Sequence, residues 1–369
     1  MAPGALHVTI HVPTAVVAES VTAAASGAPR RAPLELRRPF DWNGNEAHLR
    51  RLIWRNAILS LVTVGVYAIW AKVAWRQALW RSLRFQGKRL AFTGTVREAM
   101  IPVLVAAAVI VAAIAAIVIM KWLGTPRPPV PRRSLRLFAA IPAIFLLGLA
   151  AWRARSYLVS RTEIDGLAGR LEGSPLGYAF THFATAFLTP LTFGLIIPWR
   201  QAWLQRRLVG GMVLGPHRVA CRGIDARRLL GRLAAAFAAG AAVYLAAVLA
   251  VAFSPLAPKL IEAHGNGTLP ALSASEVALL AGVGLIAGLA MAAAGAWYRI
   301  GMLRLLAAAT SIDGHVLRLD VATSDFVRTA VVNWLMRLGS LGLLGCLAEL
   351  RMVRLLVERL SFEQSHTCD

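Results

Sequence analysis

Four stretches of the chain are apolar and free of charge: residues 99–120, 137–152, 233–258 and 277–298. A helix needs about 20 such residues to cross roughly 30 Å of hydrocarbon, where lipid offers the backbone no hydrogen-bond partner. The stretch 137–152 is short, but Arg136, Arg153 and Arg155 at its ends can snorkel and extend it. The four make two pairs. The first pair is joined by 121–136, where Pro126, Pro128, Pro129 and Pro131 forbid a continuous helix. The second is joined by 259–276, with one Lys, two Glu and the turn-forming run Gly265-Asn266-Gly267.

Three further apolar stretches have no single reading: 56–71, 173–199 and 329–348, the last interrupted by Arg337. They are related to one another. A shift of 129 superposes Gly44 on Gly173, Thr63-x-Gly65 on Thr192-x-Gly194, Trp70 on Trp199, Arg89 on Arg218 and Gly94 on Gly223. A shift of 148 superposes Ile164-Asp165-Gly166 on Ile312-Asp313-Gly314, Thr185 on Asn333, Thr192-x-Gly194 on Ser340-x-Gly342 and Arg206 on Arg354. Asn56 and Asn333 coincide as well. The pattern predicts an all-α, polytopic helical membrane protein with three degenerate internal repeats, joined by the two apolar pairs. Its parts are a tail at 1–39, repeat 1 at 40–98, a transmembrane pair at 99–158, repeat 2 at 159–226, a second pair at 227–298, repeat 3 at 299–360 and a tail at 361–369.

The first copy, Asn56-Ala-Ile-Leu-Ser-Leu-Val-Thr63-Val-Gly65-Val-Tyr67-Ala-Ile-Trp70-Ala71, then Arg76 and Phe92-Thr-Gly94, resembles the YjgN family of bacterial inner-membrane proteins. That family, a domain of unknown function (898), shows repeated Thr-Leu-Gly-x-Tyr-x-Pro-Trp-like runs. The resemblance covers about residues 40–360. The second copy departs at Ile196 but keeps Pro198-Trp199, and the third has Leu344 and Leu347 in place of both aromatic residues. The resemblance implies a multi-pass protein of the bacterial inner membrane and implies no activity.

Each unit also has a reading of its own. A Thr two residues before a Gly offers a hydroxyl to a freed carbonyl and a position without Cβ, so it can bend a helix or admit a close neighbour. The segments that follow carry Trp70, Trp75 and Trp80 among Lys72, Arg76, Arg81 and Arg84, or Trp199 and Trp203 among Arg200, Arg206 and Arg207. Trp mixed with Arg is the composition of a membrane interface. In the third copy Leu350, Val353, Leu356, Val357 and Leu360 make a stripe opposite Arg351, Arg354 and Glu358, which predicts an amphipathic helix along the inner head groups.

Composition narrows the class. The 369 residues are 57% apolar and 16% charged, with a mean hydropathy of +0.61, outside the range of soluble globular domains. A net charge of +22 raises nucleic-acid binding, but the basic residues flank apolar stretches, so anionic lipid head groups are the expected partner, with a homo-oligomer open. Their placement also bears on topology. If all three ambiguous stretches cross, 15 Lys/Arg lie outside against 23 inside; if all three double back, the division is 6 against 32, leaving Arg328 and Arg337 aside. The positive-inside rule prefers the second, although 173–199 is long enough to cross. Both termini are then cytoplasmic. Pro3, Pro13, Pro29 and Pro33 break residues 1–39, which read as a disordered tail and not as a signal peptide.

Candidate chemistry is sparse. Cys221, Cys346 and Cys368 have no CxxC spacing, and the histidines form no HxxxH or HExxH pattern, so neither a metal nor a cofactor is expected. Gly210-Gly211 lacks the Gly-Lys-Ser/Thr ending of a phosphate loop, no GxSxG elbow occurs, and an enzyme is not expected. What remains is a transporter or channel-like protein with a path lined by Asn56, Thr63, His182, Thr192, Asn333 and Ser340, helped by Gly65, Gly194 and Gly342 and by the intramembrane Arg337. The alternative is a membrane scaffold that organises lipids or partners without transport, in which the same residues are helix-packing devices.

Overall fold

A computed structural model gives the fold of residues 38–101, 132–266 and 270–363, with positions 104, 111, 115, 118, 119 and 122 between; for 132–140 and 264 it describes the backbone alone. Residues 1–37 of the expected tail, most of the 99–120 span, most of the proline-rich connection and residues 364–369 lie outside the described residues.

The chain is mostly helical, but the all-α expectation needs correction. Short strands recur along it: β1 (Phe40–Trp42), β2 (Leu83–Phe85), β3 (Lys88–Phe92), β4 (Thr162–Ile164), β5 (Leu167–Ala168), β6 (Arg170–Leu171), β7 (Met212–Leu214), β8 (His217–Cys221), β9 (Thr310–Ile312), β10 (His315–Leu319) and β11 (Leu360–Phe362). They form because tight turns fold the chain back on itself. Gln86-Gly87, Asp165-Gly166 and Asp313-Gly314 hold both central residues at positive φ, 49° and 77°, 56° and 82°, 49° and 94°. Two consecutive left-handed residues make the turn whose twist matches paired strands, and Asp-Gly favours it. The strands then alternate: Leu90 and Phe92 in β3, and His217 and Val219 in β8, are buried while their neighbours are not.

Every strand pairs antiparallel with its neighbour in sequence, in one sheet of β1–β5 and another of β6–β11. Gly169 separates β5 from β6; its N–H donates to the Thr162 carbonyl at 2.9 Å, and a Cβ there would stand 2.6 Å from the Val159 carbonyl oxygen. The registers sort the connections into two kinds. Tight turns follow the pairs Phe85↔Lys88, Ile164↔Leu167, Leu214↔His217 and Ile312↔His315. Helical excursions leave from the opposite strand ends, at Trp42↔Leu83, Phe92↔Thr162, Leu171↔Met212, Cys221↔Thr310 and Leu319↔Leu360. The described helices therefore leave from one set of strand ends and the tight turns from the other, in both parts of a small strand platform. Phe85, Leu90, Ile164, Val219, Ile312, Leu317 and Phe362 are buried within it, each contributing roughly 1.5–3 kcal/mol by burial.

Three excursions are helical hairpins of equal build: α1 (Glu46–Val62) with α2 (Ala68–Arg81), α4 (Pro175–Leu191) with α5 (Ile197–Gly210), and α9 (Thr323–Gly339) with α10 (Gly345–Glu358). In each the first helix has 17 residues and the second 14. The paired residues that open and close them, Trp42 and Leu83, Leu171 and Met212, Leu319 and Leu360, are 41 positions apart in all three. Each hairpin therefore returns to the strand end it left, and 56–71, 173–199 and 329–348 each hold a turn between two helices. Asn45 and Ser174 cap α1 and α4, accepting the His48 and Gly177 N–H groups.

The other excursions carry the long helices α3 (Arg132–Ser160), α6 (Leu230–Ala252), α7 (Leu256–Asn266) and α8 (Ala274–Ala309). Among the described residues two helical segments, Ala226–Ala252 and α8, are long and apolar enough to cross a membrane, and their apolar windows are not covered by the rest of the chain. The capping box on Ser273 and Glu276 starts α8, with Lys259 2.8 Å from the Glu276 carboxylate. Its 36 residues run past the expected end at 298 because the last three turns carry the chain down to β9. Three expectations change. Residues 259–266, read as a loop, continue α7. The apolar stripe of α10 packs inward at Leu350, buried against Leu49, Ile53, Trp75 and Leu79, with Val353 beside it, and Leu360 belongs to β11. The tail expected from 361 is strand as far as Phe362, and the Glu363 N–H donates to the Val316 carbonyl at 2.8 Å.

Candidate functional site

The residues singled out by the repeats fall at matching points of the three hairpins. The Thr63 hydroxyl donates to the Leu59 carbonyl at 2.7 Å and accepts the Tyr67 N–H at 3.0 Å, joining the end of α1 to the start of α2. Thr192 makes the same two bonds to Leu188 and Ile196, at 2.9 and 3.4 Å, and Ser340 to Met336 and Leu344, at 2.6 and 3.1 Å. Gly65, Gly194 and Gly342 stand at φ of 87°, 81° and 87° and donate to the carbonyls of Ser60, Thr189 and Arg337 at 2.7–2.8 Å. This six-to-one bond, with a left-handed residue just before it, satisfies the last carbonyls of the first helix.

The residue between Thr and Gly carries an unforeseen property. Val64, Phe193 and Leu341 are left-handed at φ of 51°, 50° and 50°, and are 92%, 90% and 93% exposed. A bulky side chain is strained in that region, and a bare apolar side chain at a turn is poorly suited to water. Around them Leu61, Val62, Val66, Leu191, Leu195 and Leu338 are exposed too.

Deeper in each hairpin, Asn56 and Asn333 are buried and donate through Nδ2 to the Ala71 and Ala348 carbonyls at 3.4 and 2.8 Å, tying first helix to second. Their Oδ1 atoms are buried without a partner among the described residues. Thr185, at the matching place, bonds within its own helix to the Thr181 carbonyl at 2.6 Å. His182 meets Arg200 at 3.2 Å across the second hairpin. Arg337 is exposed on α9 and lies, with Lys72 and Glu349, among the charges around Cys346. Among the described residues the side-chain hydrogen bonds of Asn56, Thr63, Thr192, Asn333 and Ser340 thus stay within their own hairpins, whereas His182 also faces the Ile144 backbone on α3.

At the tight-turn end of the platform the sequence signal was missed. His217 Nδ1 lies 2.6 Å from the Asp313 carboxylate, both side chains under a tenth exposed, and Asp313 also accepts the Arg218 N–H at 3.0 Å. The Phe85 ring meets His217 edge-on at 5.0 Å. One unit earlier Lys88 and Asp165 take the same places, 3.9 Å apart and solvent-exposed. The shift of 129 that carries Arg89 onto Arg218 also carries Lys88 onto His217, and would have found the pair. Asp313→Ala is expected to cost about 3 kcal/mol, because it strands a buried imidazole and frees the Arg218 N–H; Asp165→Ala should cost less than about 1 kcal/mol as a surface pair. Thermal melts of the two variants side by side check the difference.

At the base of the second hairpin an open-mouthed cavity of about 830 Å3 lies between α3, α4, α5 and β8. Trp152, Ser174, Trp203, Arg206, Arg207 and Cys221 line it. Burial pushes the Cys221 thiol up, against weaker opposing effects of the Thr310 hydroxyl and the Arg206 charge, so it is a poor nucleophile at neutral pH. Among the described residues no cluster of three His, Cys, Asp or Glu side chains could hold a metal ion.

Neither a curated protein nor a solved structure matches the chain. A family model described as bacterial protein of unknown function (DUF898) does match, over residues 37–369, so the chain belongs to that family.

Proposed function

We propose that the chain is a multi-pass protein of the bacterial inner membrane that organises inner-leaflet lipid or partners, built from three copies of one strand-bounded helical hairpin whose turns dip part way into the bilayer. The observation that carries this reading is the threefold exposure of Val64, Phe193 and Leu341 at equivalent turns. Depth arithmetic agrees with it. Val64 lies nine residues beyond Arg55, about 13 Å along a helix and close to half of a ~30 Å hydrocarbon layer. The second turn is anchored to the spanning helix: Gln201, eight residues after Phe193, accepts the Tyr298 hydroxyl at 3.1 Å, at the inner end of the apolar run of α8. The common 41-residue register supports the repeat, and the departure of the described helices from one set of strand ends supports placing platform and termini together in the cytoplasm.

The transport reading needs the hydroxyls of Thr63, Thr192 and Ser340 to face a common path. Each is engaged in its own turn, which favours the scaffold. A cysteine-labelling map tests the placement: with the native cysteines replaced, single cysteines at Lys88 and at Gly265 should react with impermeant reagent only from the cytoplasmic and only from the outer side, and one at Val64 from neither. Outer labelling at Lys88 would refute the topology.

A further inference from the structure

We infer that the cavity at the base of the second hairpin is a binding site for the phosphodiester head group of an anionic phospholipid. The inference deepens the membrane placement proposed above and rests on it. Depth comes first. The Gln201–Tyr298 bond fixes α5 beside the point where α8 passes from its apolar run to Arg299, and Trp203, Arg206 and Arg207 follow within two turns, toward the platform. That is the level of the head groups, not of the hydrocarbon.

Charge comes second. Neither Arg206 nor Arg207 forms an ion pair among the described residues, although Glu172 is a wall of the same cavity. The Glu172 carboxylate is already held by Arg170 at 2.9 Å and faces Arg218 at 3.9 Å, so the cavity keeps a positive excess. Two guanidinium groups on successive residues offer forked donors suited to phosphate oxygens.

Shape comes third, and glycines make it. A Cβ on Gly173, at φ 130°, would come within 2.8 Å of the Trp152 ring, and one on Gly211 would fall 2.1 Å from the Glu172 carbonyl oxygen. The Arg207 guanidinium reaches over Gly177, where a Cβ would stand 3.1 Å from its Nη1. Trp152 is buried as one wall and Trp203 is half exposed at another, so indole faces meet the glycerol and upper acyl region while the arginines meet the phosphate.

The experiment is native mass spectrometry of the full chain released from phosphatidylcholine nanodiscs doped with phosphatidylglycerol. The wild type should retain bound phosphatidylglycerol, and the Arg206→Gln/Arg207→Gln double variant should retain it about 10-fold less well. Arg227→Gln/Arg228→Gln, which removes the same charge from an exposed site outside the cavity, should match the wild type. Equal retention by both double variants overturns the site. Displacement of the lipid by millimolar inorganic phosphate, at equal ionic strength, overturns the lipid assignment in favour of free phosphate. Failure of the wild type to enter phosphatidylcholine nanodiscs overturns the membrane placement itself, and is seen before any lipid is counted.

Discussion

Lysine introduced together at Val64, Phe193 and Leu341 is expected to drive the three hairpin turns out of the bilayer. Each substitution places a charge at a depth where insertion costs about 3 kcal/mol, so the three together outweigh the burial of every apolar side chain at the turns. The exposed apolar neighbours Leu61, Val66, Leu191 and Leu195 stay in place, which makes the variant a test of depth and not of folding. A single cysteine at Val66, in a background without native cysteines, reads the result. It should be protected from aqueous thiol reagents in the parent and react freely from the cytoplasmic side in the triple variant. Equal reactivity in both would mean that the turns never leave water.

The second large effect is at Trp75. Its side chain is 1% exposed, packed with Leu49, Ile53, Leu79 and Leu350, and its Nε1 donates to the Glu349 carboxylate at 3.1 Å. Trp75→Ala empties that space and is expected to cost about 3–5 kcal/mol. Trp75→Phe keeps most of the ring and loses only the hydrogen bond, with an expected cost of about 1–3 kcal/mol because the carboxylate loses its donor. Thermal unfolding of the two variants in the same detergent checks the order, and in a Glu349→Gln background the cost of Trp75→Phe should shrink while the gap between the two variants stays. A loss from Trp75→Ala no greater than that from Trp75→Phe would remove Trp75 from the core.

The three helical hairpins were readable from sequence because their marks are local. Thr-x-Gly, the polar residue seven positions before it and the basic-aromatic segment after it all follow from the needs of one turn and two short helices. The strands were not, because they are two to five residues long and carry Arg84, Arg89, Arg170, Arg218 and Arg318 among their apolar positions, so no apolar run announces them. Asp165-Gly166 and Asp313-Gly314 were visible as matching letters, yet their meaning lay in the turn they make. The cover on Trp75 was beyond any local pattern, since Glu349 is 274 positions away. At the candidate site the threonines and glycines stood out, whereas Val64, Phe193 and Leu341 passed as the variable letter of the motif. Trp203, Arg206 and Arg207 were legible as interface composition; that Trp152 closes a cavity over them depends on the packing of α3.

Two meanders, in which each strand after the first pairs with the one before it, have a bearing on synthesis. Only β1 and β6, which open the two sheets, wait for a partner made later, and in each case for the next strand, so each sheet can lengthen in the order in which the ribosome delivers it, one excursion at a time. Hairpin 1 is the exception. Its inner face, centred on Trp75, stays open until Leu350 and Glu349 arrive on α10 near the end of the chain. The first unit to emerge is thus the last to be sealed, and a chain that stops short of α10 leaves that face uncovered.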